Sequence, residues 1–368
     1  MFYLGVDCNY YAEMLDEGKT WSINGIKVDP LKAFAERGVK WIRIRIFTKK
    51  GTNGFTYAVR TALRAQQEGI TPYINFFLSD CWATAIEQPV PKEWKKLSIK
   101  ERAEAIRKYC FYTVTSLKQS GVRTSLYQIG NEIDYGMCGV HTDDIRRENV
   151  KWMSKTIWPY EAELIKGAIK GIKQADSKAQ FIIHIAHWFN KKFGIGFFRF
   201  MKKAGVNFDY LGASYYPSSN IPMHHFNIPN TFTDLNVYVS SLTKAIKKPL
   251  IFCEYGYPSE KVFNGAFQHW NHPVRNYPLT TLGQREWLYD FLNYCIQHPM
   301  IAGAFYWSPE YYCHEDWVAF SFFDSYGVSK PVIEVFQELK SYCLITRKCK
   351  GFSLKKLYRK LFTFLNCL

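Results

Sequence analysis

The sequence lacks the signatures of several broad classes of protein. None of its ten cysteines forms a Cys-x-x-Cys pair, and several lie in apolar runs, as Cys253 does in PLIFCEYGYP. They therefore indicate reduced core residues of a cytosolic protein rather than zinc ligands or a disulfide framework. Zinc-finger spacing, Gly-rich phosphate loops and RNA-binding signatures are absent, as is any uninterrupted apolar run of about 18 residues. We expect neither a membrane-spanning helix nor a nucleic-acid partner.

Acidic residues are missing from the C-terminal end of the chain. The net charge is +16, the last acidic residue is Glu338, and seven Lys or Arg residues lie within 343–368. Part of the positive charge thus belongs to a tail, which argues against a nucleic-acid-binding body. Leucines recur in this tail at intervals of three or four, at Leu354, Leu357, Leu361, Leu365 and Leu368. The pattern predicts a basic amphipathic helix that either lies in a membrane interface or packs against the body or a partner chain.

The N-terminal stretch MFYLGVDCNYYAEM leads directly into a predicted first strand. It has no basic region followed by an apolar region and a cleavage site, which are the features of a secretory signal peptide. We therefore expect no signal peptide and a cytoplasmic location, with residues 343–368 as a peripheral contact on the inner face of the membrane.

Eight apolar, β-rich runs recur along the chain, with amphipathic helical patterns between most of them. The runs cover residues 2–7, 39–47, 71–78, 125–131, 180–186, 208–216, 249–255 and 301–307. Eight strand–helix alternations predict an α/β fold, a (β/α)₈ TIM barrel over residues 1–340, followed by the tail at 341–368. The alternative is a doubly wound open sheet, but that fold would carry a glycine fingerprint after the first strand, where this chain has GVDCNYY.

Two of the predicted strands end in glutamates. The fourth ends at Asn131 and Glu132, and the seventh ends at Glu254. Barrel active sites lie at the C-terminal ends of the strands, and strands four and seven face each other across the mouth. Either glutamate alone could be a loop carboxylate or a helix cap. Together they form the pair needed to hydrolyse a glycosidic bond with retention, provided that their pKa values are driven apart.

Other strand ends supply residues that fit the same chemistry. The second strand carries Arg43 and Arg45, and a buried arginine beside a carboxylate holds it ionised. Arg45 could equally form an ion pair inside the barrel. The eighth strand ends in Trp307, a platform on which a sugar ring can stack. The sixth ends in SYYP, where Tyr215 or Tyr216 could bond the nucleophile or simply pack.

Ordered sequence blocks resemble family 53 of the glycoside hydrolases, the arabinogalactan endo-β-1,4-galactanases of clan A. The blocks are GVKWIRIRIF, LSDCWA, IGNEI, IIHIA, GASYYP, CEYGYP, GQREWL and FYWSP, and they occur in the family's order. The resemblance implies that Glu132 is the acid/base, that Glu254 is the nucleophile, and that Arg43 supports Glu254. It implies further substrate-binding positions at Asn131 (the sugar 2-hydroxyl), Trp307 (the floor of the cleaved subsite), Asp80, Trp82, His184, Tyr215 and Tyr216.

The chain departs from the family pattern around this pair. Asn75 and Phe77 replace an Asp and a His on the third strand, Ser308 replaces a Glu after the eighth, and Thr84 and Ala85 replace an Asp-Pro. The catalytic pair is kept while the sugar-contacting residues differ, so β-1,4-galactan is not assumed as substrate. We expect no metal or cofactor, because neither the His184 and His187 pair nor HED at 314–316 has a third ligand.

These observations predict a retaining endo-glycosidase that acts on a β-linked oligo- or polysaccharide, in polysaccharide processing inside the cell. Two alternatives use the same barrel. One is a catalytically inactive carbohydrate-binding or scaffold protein, which the changes at Asn75, Phe77 and Ser308 favour. The other is a transglycosylase, which shares every catalytic residue with a hydrolase.

Overall fold

Eight parallel strands form a closed barrel in the computed structural model, which describes residues 2–219 and 228–340. The strands are β1 (Tyr3–Asp7), β2 (Trp41–Ile46), β3 (Thr71–Phe76), β4 (Leu126–Ile129), β5 (Gln180–Ile185), β6 (Tyr210–Tyr215), β7 (Leu250–Tyr255) and β8 (Ile301–Trp307). Each strand pairs with its sequence neighbours, and β8 pairs with β1. The predicted (β/α)₈ barrel is therefore confirmed and the open sheet is excluded.

Helices surround the barrel and connect most of the strands. They are α1 (Tyr11–Asp16), α2 (Pro30–Glu36), α3 (Phe55–Gln67), α4 (Ile99–Gln119), α5 (Val150–Thr156), α6 (Trp158–Ala175), α7 (Lys191–Lys203), α8 (Phe232–Ile246), α9 (Thr281–Gln297) and α10 (Glu315–Val318). Short 3₁₀ turns lie at Lys92–Trp94 and Pro331–Glu334, and two-stranded hairpins at Trp21–Val28 and Gly136–His141. None of the helices in the described part of the chain combines the length and the apolar character needed to cross a bilayer.

The helices on either side of β4 are fixed by local sequence and by close packing. The Ser98 side chain and Glu101 form a capping box that starts α4 and satisfies two of its free backbone donors. Helix α6 lies directly on α4 at two glycines. A Cβ added at Gly167 would lie 2.4 Å from an α4 carbonyl oxygen, and a Cβ added at Gly171 would lie 2.1 Å from another. Only glycine permits this approach, which holds the helix layer around β4 in place.

The two ends of the barrel differ in what they carry. The upper rim comprises the C-terminal ends of the strands and the loops that follow them. The lower face comprises the connections from each helix to the next strand and the last turns of those helices. Its connections are residues 37–40, 68–70, 120–125, 176–179, 204–209, 247–249 and 298–300. The predicted tail at 341–368 is outside the described residues, so its helix and its boundary stay predictions.

Candidate active site

Glu132 lies just beyond the end of β4, on a sharply turned backbone. Gly130 and Glu132 both have positive φ, +70° and +48°. A glutamate in this region is uncommon, and such strain clusters at functional sites. The turn leaves the Glu132 side chain partly buried, with its Oε1 accepting a 2.6 Å hydrogen bond from Ser214 Oγ. Because Ser214 is on β6, this bond ties the end of β4 to the end of β6.

Glu254 belongs to β7 and is almost fully buried, with 7% of the residue exposed. Its Oε1 lies 2.8 Å from Nη1 of Arg43, and its Oε2 accepts a 3.1 Å hydrogen bond from the Tyr216 hydroxyl. In the β6–β7 pairing Glu254 is the register partner of Ser214, the residue that donates to Glu132. The two glutamates are therefore brought together at the upper rim, as the strand ends predict.

Arg43 joins four strands of the barrel at this point. Its Nη1 also contacts Asp7 at 2.5 Å, its Nε donates to Gln128 at 3.1 Å, and its Nη2 donates to Asn131 at 2.6 Å. The residue is completely buried, so these partners fix the guanidinium rigidly beneath Glu254. Asp7 and Gln128 were missed at the sequence level, although Asp7 stands at the end of the first strand.

The two carboxyls have unequal electrostatic surroundings. The pKa of Glu132 is raised to about 8, mainly by burial and next by the negative charge of Glu254. The hydrogen bond from Ser214 acts in the other direction and lowers this pKa. Burial also raises the pKa of Glu254, but the positive charges of Arg43 and Arg45 and the Tyr216 hydrogen bond oppose that increase. Glu132 is consequently the carboxyl that keeps its proton, and Glu254 is the one that ionises first.

A chain of hydrogen bonds connects Arg43 to Glu132 through three buried side chains. Gln128 Oε1 accepts from Arg43, and Gln128 Nε2 donates to Nδ1 of His184 at 3.0 Å. The proton of His184 is thereby assigned to Nε2, which donates to Ser214 Oγ at 2.8 Å. Burial and Arg43 lower the pKa of His184 well below its ordinary value, so the ring is neutral. His184 is fully buried behind Ser214. It therefore supports Glu132 through Ser214, and it lacks the exposure to a substrate that the predicted substrate-binding role requires.

Aromatic rings line the rim beside the glutamates, as Trp82 and Trp307 were predicted to do. Their ring centroids are 6.2 Å apart, and 38% of Trp82 is exposed. Arg45 lies under them, and its Cζ is 4.2 Å from the centroid of the Trp82 ring. Its Nη2 is 3.4 Å from Asp7. Tyr10, which the sequence did not single out, completes the group around Arg45. Flat rings in this arrangement can stack on sugar rings.

The other predicted residues are Tyr215, which lies away from the glutamates, and Asp80 and Asn131, which lie at the rim. Tyr215 is not brought to the glutamates, because adjacent strand residues face opposite sides and its hydroxyl donates to Pro229 O at 2.8 Å behind the barrel wall. Asp80 ties a rim loop together by accepting from Thr48 and from the backbone of Lys92. Asn131 is at the site, with Oδ1 bonded to Arg43 and Nδ2 donating to Ala83 O at 3.0 Å.

The residues that depart from the family pattern change the rim in a consistent way. Asn75 is uncharged and lies 3.4 Å from Asn131 Oδ1, while Phe77 packs with Phe47 and Ala83 in a small apolar cluster. Ser308 is fully buried. The Phe77 cluster gives the rim an apolar patch beside Trp82, with 5.9 Å between the Phe77 and Trp82 ring centroids. Among the described residues, no three His, Cys, Asp or Glu side chains converge on a metal-binding position.

Comparisons with known proteins agree with this geometry. The model of glycosyl hydrolase family 53 matches residues 3–338. An arabinogalactan endo-beta-1,4-galactanase of Cellvibrio japonicus is 26% identical over 322 residues, which are 84% of this chain and 80% of that protein.

Two solved structures share the fold. The family 53 catalytic domain of Ignisphaera aggregans superposes with a TM-score of 0.78 at 23% identity, covering 91% of this chain and 95% of that one. A structure from a study of two fungal beta-1,4-galactanases gives a TM-score of 0.77 at 22% identity, covering 91% of this chain and 99% of that one. The resemblance inferred from the sequence is confirmed. The chain belongs to glycosyl hydrolase family 53 and is a glycoside hydrolase.

Proposed function

We propose that this glycoside hydrolase is a retaining endo-glycosidase that cleaves a β-linked polysaccharide, with Glu254 as nucleophile and Glu132 as acid/base. The observation that carries the proposal is the unequal setting of the two glutamates. Glu254 contacts a buried arginine at 2.8 Å, whereas burial and the neighbouring negative charge raise the pKa of Glu132 to about 8. A nucleophile must be ionised and a proton donor must be protonated, so the roles follow from the surroundings.

The reaction takes place in two steps. In the first, Glu254 attacks the anomeric carbon while Glu132 gives its proton to the glycosidic oxygen, and the leaving sugar departs. The product is a glycosyl ester on Glu254. In the second, Glu132, now ionised, takes a proton from water as the water attacks the anomeric carbon and releases Glu254. A sugar hydroxyl in place of that water gives transglycosylation with the same residues.

Asn131 and the aromatic rings are suited to hold the reacting sugar. Asn131 is fixed by Arg43 and Ala83, which leaves its second Nδ2 hydrogen for a substrate hydroxyl. The relative from Cellvibrio japonicus is named an arabinogalactan endo-beta-1,4-galactanase, which supports a β-1,4 linkage for this chain. The uncharged Asn75 and the apolar Phe77 are reasons to test sugars other than galactose.

The proposal also places the reaction inside the cell. The seven cysteines of the described residues are free, and five of them are buried. Free thiols are typical of reducing compartments. The test is fractionation of the native host with an antibody to the chain, and recovery of the protein outside the cell would contradict this part of the proposal.

The mechanism is tested by covalent trapping. Activated 2-fluoro glycosides with galactosyl, glucosyl and mannosyl groups are incubated with the protein, and the intact mass and peptide map are recorded. We expect one adduct, on Glu254. Glu132→Gln is the matched control, because an activated leaving group needs no proton and the adduct should still form. Glu254→Gln should give none.

An adduct on Glu132, or an adduct on the same peptide of Glu254→Gln, would contradict the assignment of roles. Complete absence of adducts with all three sugars, together with binding of oligosaccharides, would favour the inactive carbohydrate-binding alternative.

A further inference from the structure

The lower face of the barrel carries a concentration of exposed positive charge. Six Lys or Arg residues lie in the connections that precede the strands. Arg37 pairs with Glu334 at 2.7 Å, and the other five, the connection cations, are Lys40, Arg123, Lys178, Lys247 and Lys248. Six more lie in the last turns of the helices: Arg64, Lys118, Lys173, Lys202, Lys203 and Lys244. The second group has a local explanation, because cations are favoured at helix C-termini. In the first group Lys247 is the C-cap of α8, and the other four connection cations need another explanation.

Acidic residues of the same face are few and already engaged. Glu68 forms an ion pair with Arg64 at 2.6 Å. Asp176 is buried and pairs with Lys118 at 3.2 Å. Asp209 accepts the backbone N–H of Phe181 at 2.8 Å. Across the described residues, no carboxylate forms an ion pair with any of the five connection cations, so their charge is available to a partner.

A cavity opens within this face, between the starts of β2, β3, β4 and β5. Its volume is about 660 Å³. Arg123, Ser125 and Trp41 line it, together with Lys118 and Thr124, of which Lys118 pairs with Asp176 and the Thr124 hydroxyl bonds the backbone of Leu126. Cations and hydroxyls beside an aromatic ring match a phosphate-bearing lipid headgroup.

The C-terminal end of the described chain lies at this same face. The aliphatic part of Lys340 packs on Gly38, and its Nζ donates to Glu36 O at 2.9 Å. The described part of the chain therefore ends next to the basic connections. The sequence that follows, 341–368, contains seven Lys or Arg residues, no Asp or Glu, and regularly spaced leucines.

We propose that the lower face docks on an anionic lipid bilayer, with the upper rim and its two glutamates turned toward the solution. Anionic lipids attract each nearby Lys or Arg, so each connection cation of the lower face adds to the attraction. The leucines at 354–368 favour lipid over nucleic acid as the partner, since acyl chains accommodate apolar side chains and phosphodiester backbones do not.

The experiment measures binding of the full chain to vesicles of 30% phosphatidylserine and 70% phosphatidylcholine, and to vesicles of phosphatidylcholine alone. The lower-face variant replaces four of the connection cations: Lys40→Gln, Arg123→Gln, Lys178→Gln and Lys248→Gln. The rim control removes the same charge from exposed loops of the upper rim: Lys49→Gln, Lys50→Gln, Lys95→Gln and Lys96→Gln. Thermal unfolding monitored by circular dichroism verifies that both variants are folded.

We expect the parent to prefer the anionic vesicles. Binding should fall by about five-fold for each cation removed from the lower face, which is two orders of magnitude or more for four. The rim control should bind within about two-fold of the parent. Equal losses in both variants would show an unspecific charge effect and overturn the proposal, as would an unchanged lower-face variant. Displacement from the vesicles by polyuridylate at lower concentration than by anionic lipid would identify nucleic acid as the partner instead.

Discussion

The upper rim and the lower face of this barrel use charge in opposite ways. At the rim, opposite charges form ion pairs that are exposed, as between Asp144 and Arg146 at 2.7 Å, or buried, as between Glu254 and Arg43 at 2.8 Å, and exposed lysines such as Lys49 and Lys95 lie beside them. On the lower face the five connection cations have no carboxylate partner among the described residues. The buried ion pair at the mouth tunes a carboxyl group for chemistry, whereas a face on which cations outnumber carboxylates suits attraction to an anionic surface.

The largest expected effect is on catalysis at the rim. Glu132→Gln should lower kcat on a natural glycan by about 10² to 10⁴, because the leaving oxygen then receives no proton. With an aryl glycoside whose leaving group is already a weak base, the first step should be nearly unaffected. Steady-state and burst kinetics on the two substrates measure the difference. Equal losses on both substrates would contradict a proton-donor role for Glu132.

The next largest effect compares a buried ion pair with an exposed one. Arg43→Gln leaves Glu254 buried without its cation and leaves Asp7 with Arg45 alone, at 3.4 Å, and removing one partner of a buried pair costs about 3–5 kcal/mol. Arg37→Gln is the control, because Arg37 pairs with the partly exposed Glu334 at 2.7 Å and such pairs contribute about 0–1 kcal/mol. Urea unfolding at neutral pH measures both free energies. Similar values for the two variants would mean that Arg43 does not hold the site together.

A smaller effect concerns the pH profile. Activity requires protonated Glu132, so kcat/KM should fall as pH rises through its raised pKa of about 8. Ser214 donates a hydrogen bond that favours the ionised form and thereby lowers this pKa. Ser214→Ala should therefore move the basic limb of the profile to higher pH. A limb that moves to lower pH, or that stays in place, would contradict the effect of the Ser214 hydrogen bond on Glu132.

The smallest effect is expected from the lower face. The variant with Lys40, Arg123, Lys178 and Lys248 replaced should keep kcat/KM on a soluble oligosaccharide within about two-fold of the parent, because these side chains are at the opposite end of the barrel from Glu132. Initial rates in the absence of vesicles provide the measurement. A large loss of activity would mean that the two ends of the barrel are coupled, and it would contradict the separate roles given to the upper rim and the lower face.

The sequence predicted the eight strands to within two residues at either end, because β-branched and aromatic runs alternate with helical patterns at regular spacing. The position of the glutamate pair followed from strand order alone. The hydrogen-bond chain from Gln128 through His184 to Ser214 could not be predicted, since it depends on how β4, β5 and β6 are placed against one another.

The two tyrosines of the sixth strand illustrate the same limit. Tyr215 and Tyr216 were equal candidates by sequence, and strand alternation alone leaves open which of them faces the barrel interior. A register shift at Ala213 and Ser214 fixes the alignment of β6 with β7. In the structure the Tyr216 hydroxyl bonds Glu254, and the Tyr215 ring stacks on Phe291 of α9.

The most direct test of the central assignment is the anomeric configuration of the first product. Proton NMR follows the cleavage of whichever β-1,4-linked oligosaccharide from a galactan, glucan and mannan panel the protein hydrolyses. The account predicts that the β-anomer appears first and the α-anomer only by later mutarotation, because Glu254 forms a covalent intermediate. Initial release of the α-anomer would show a single displacement by water and would contradict the roles given to Glu254 and Glu132.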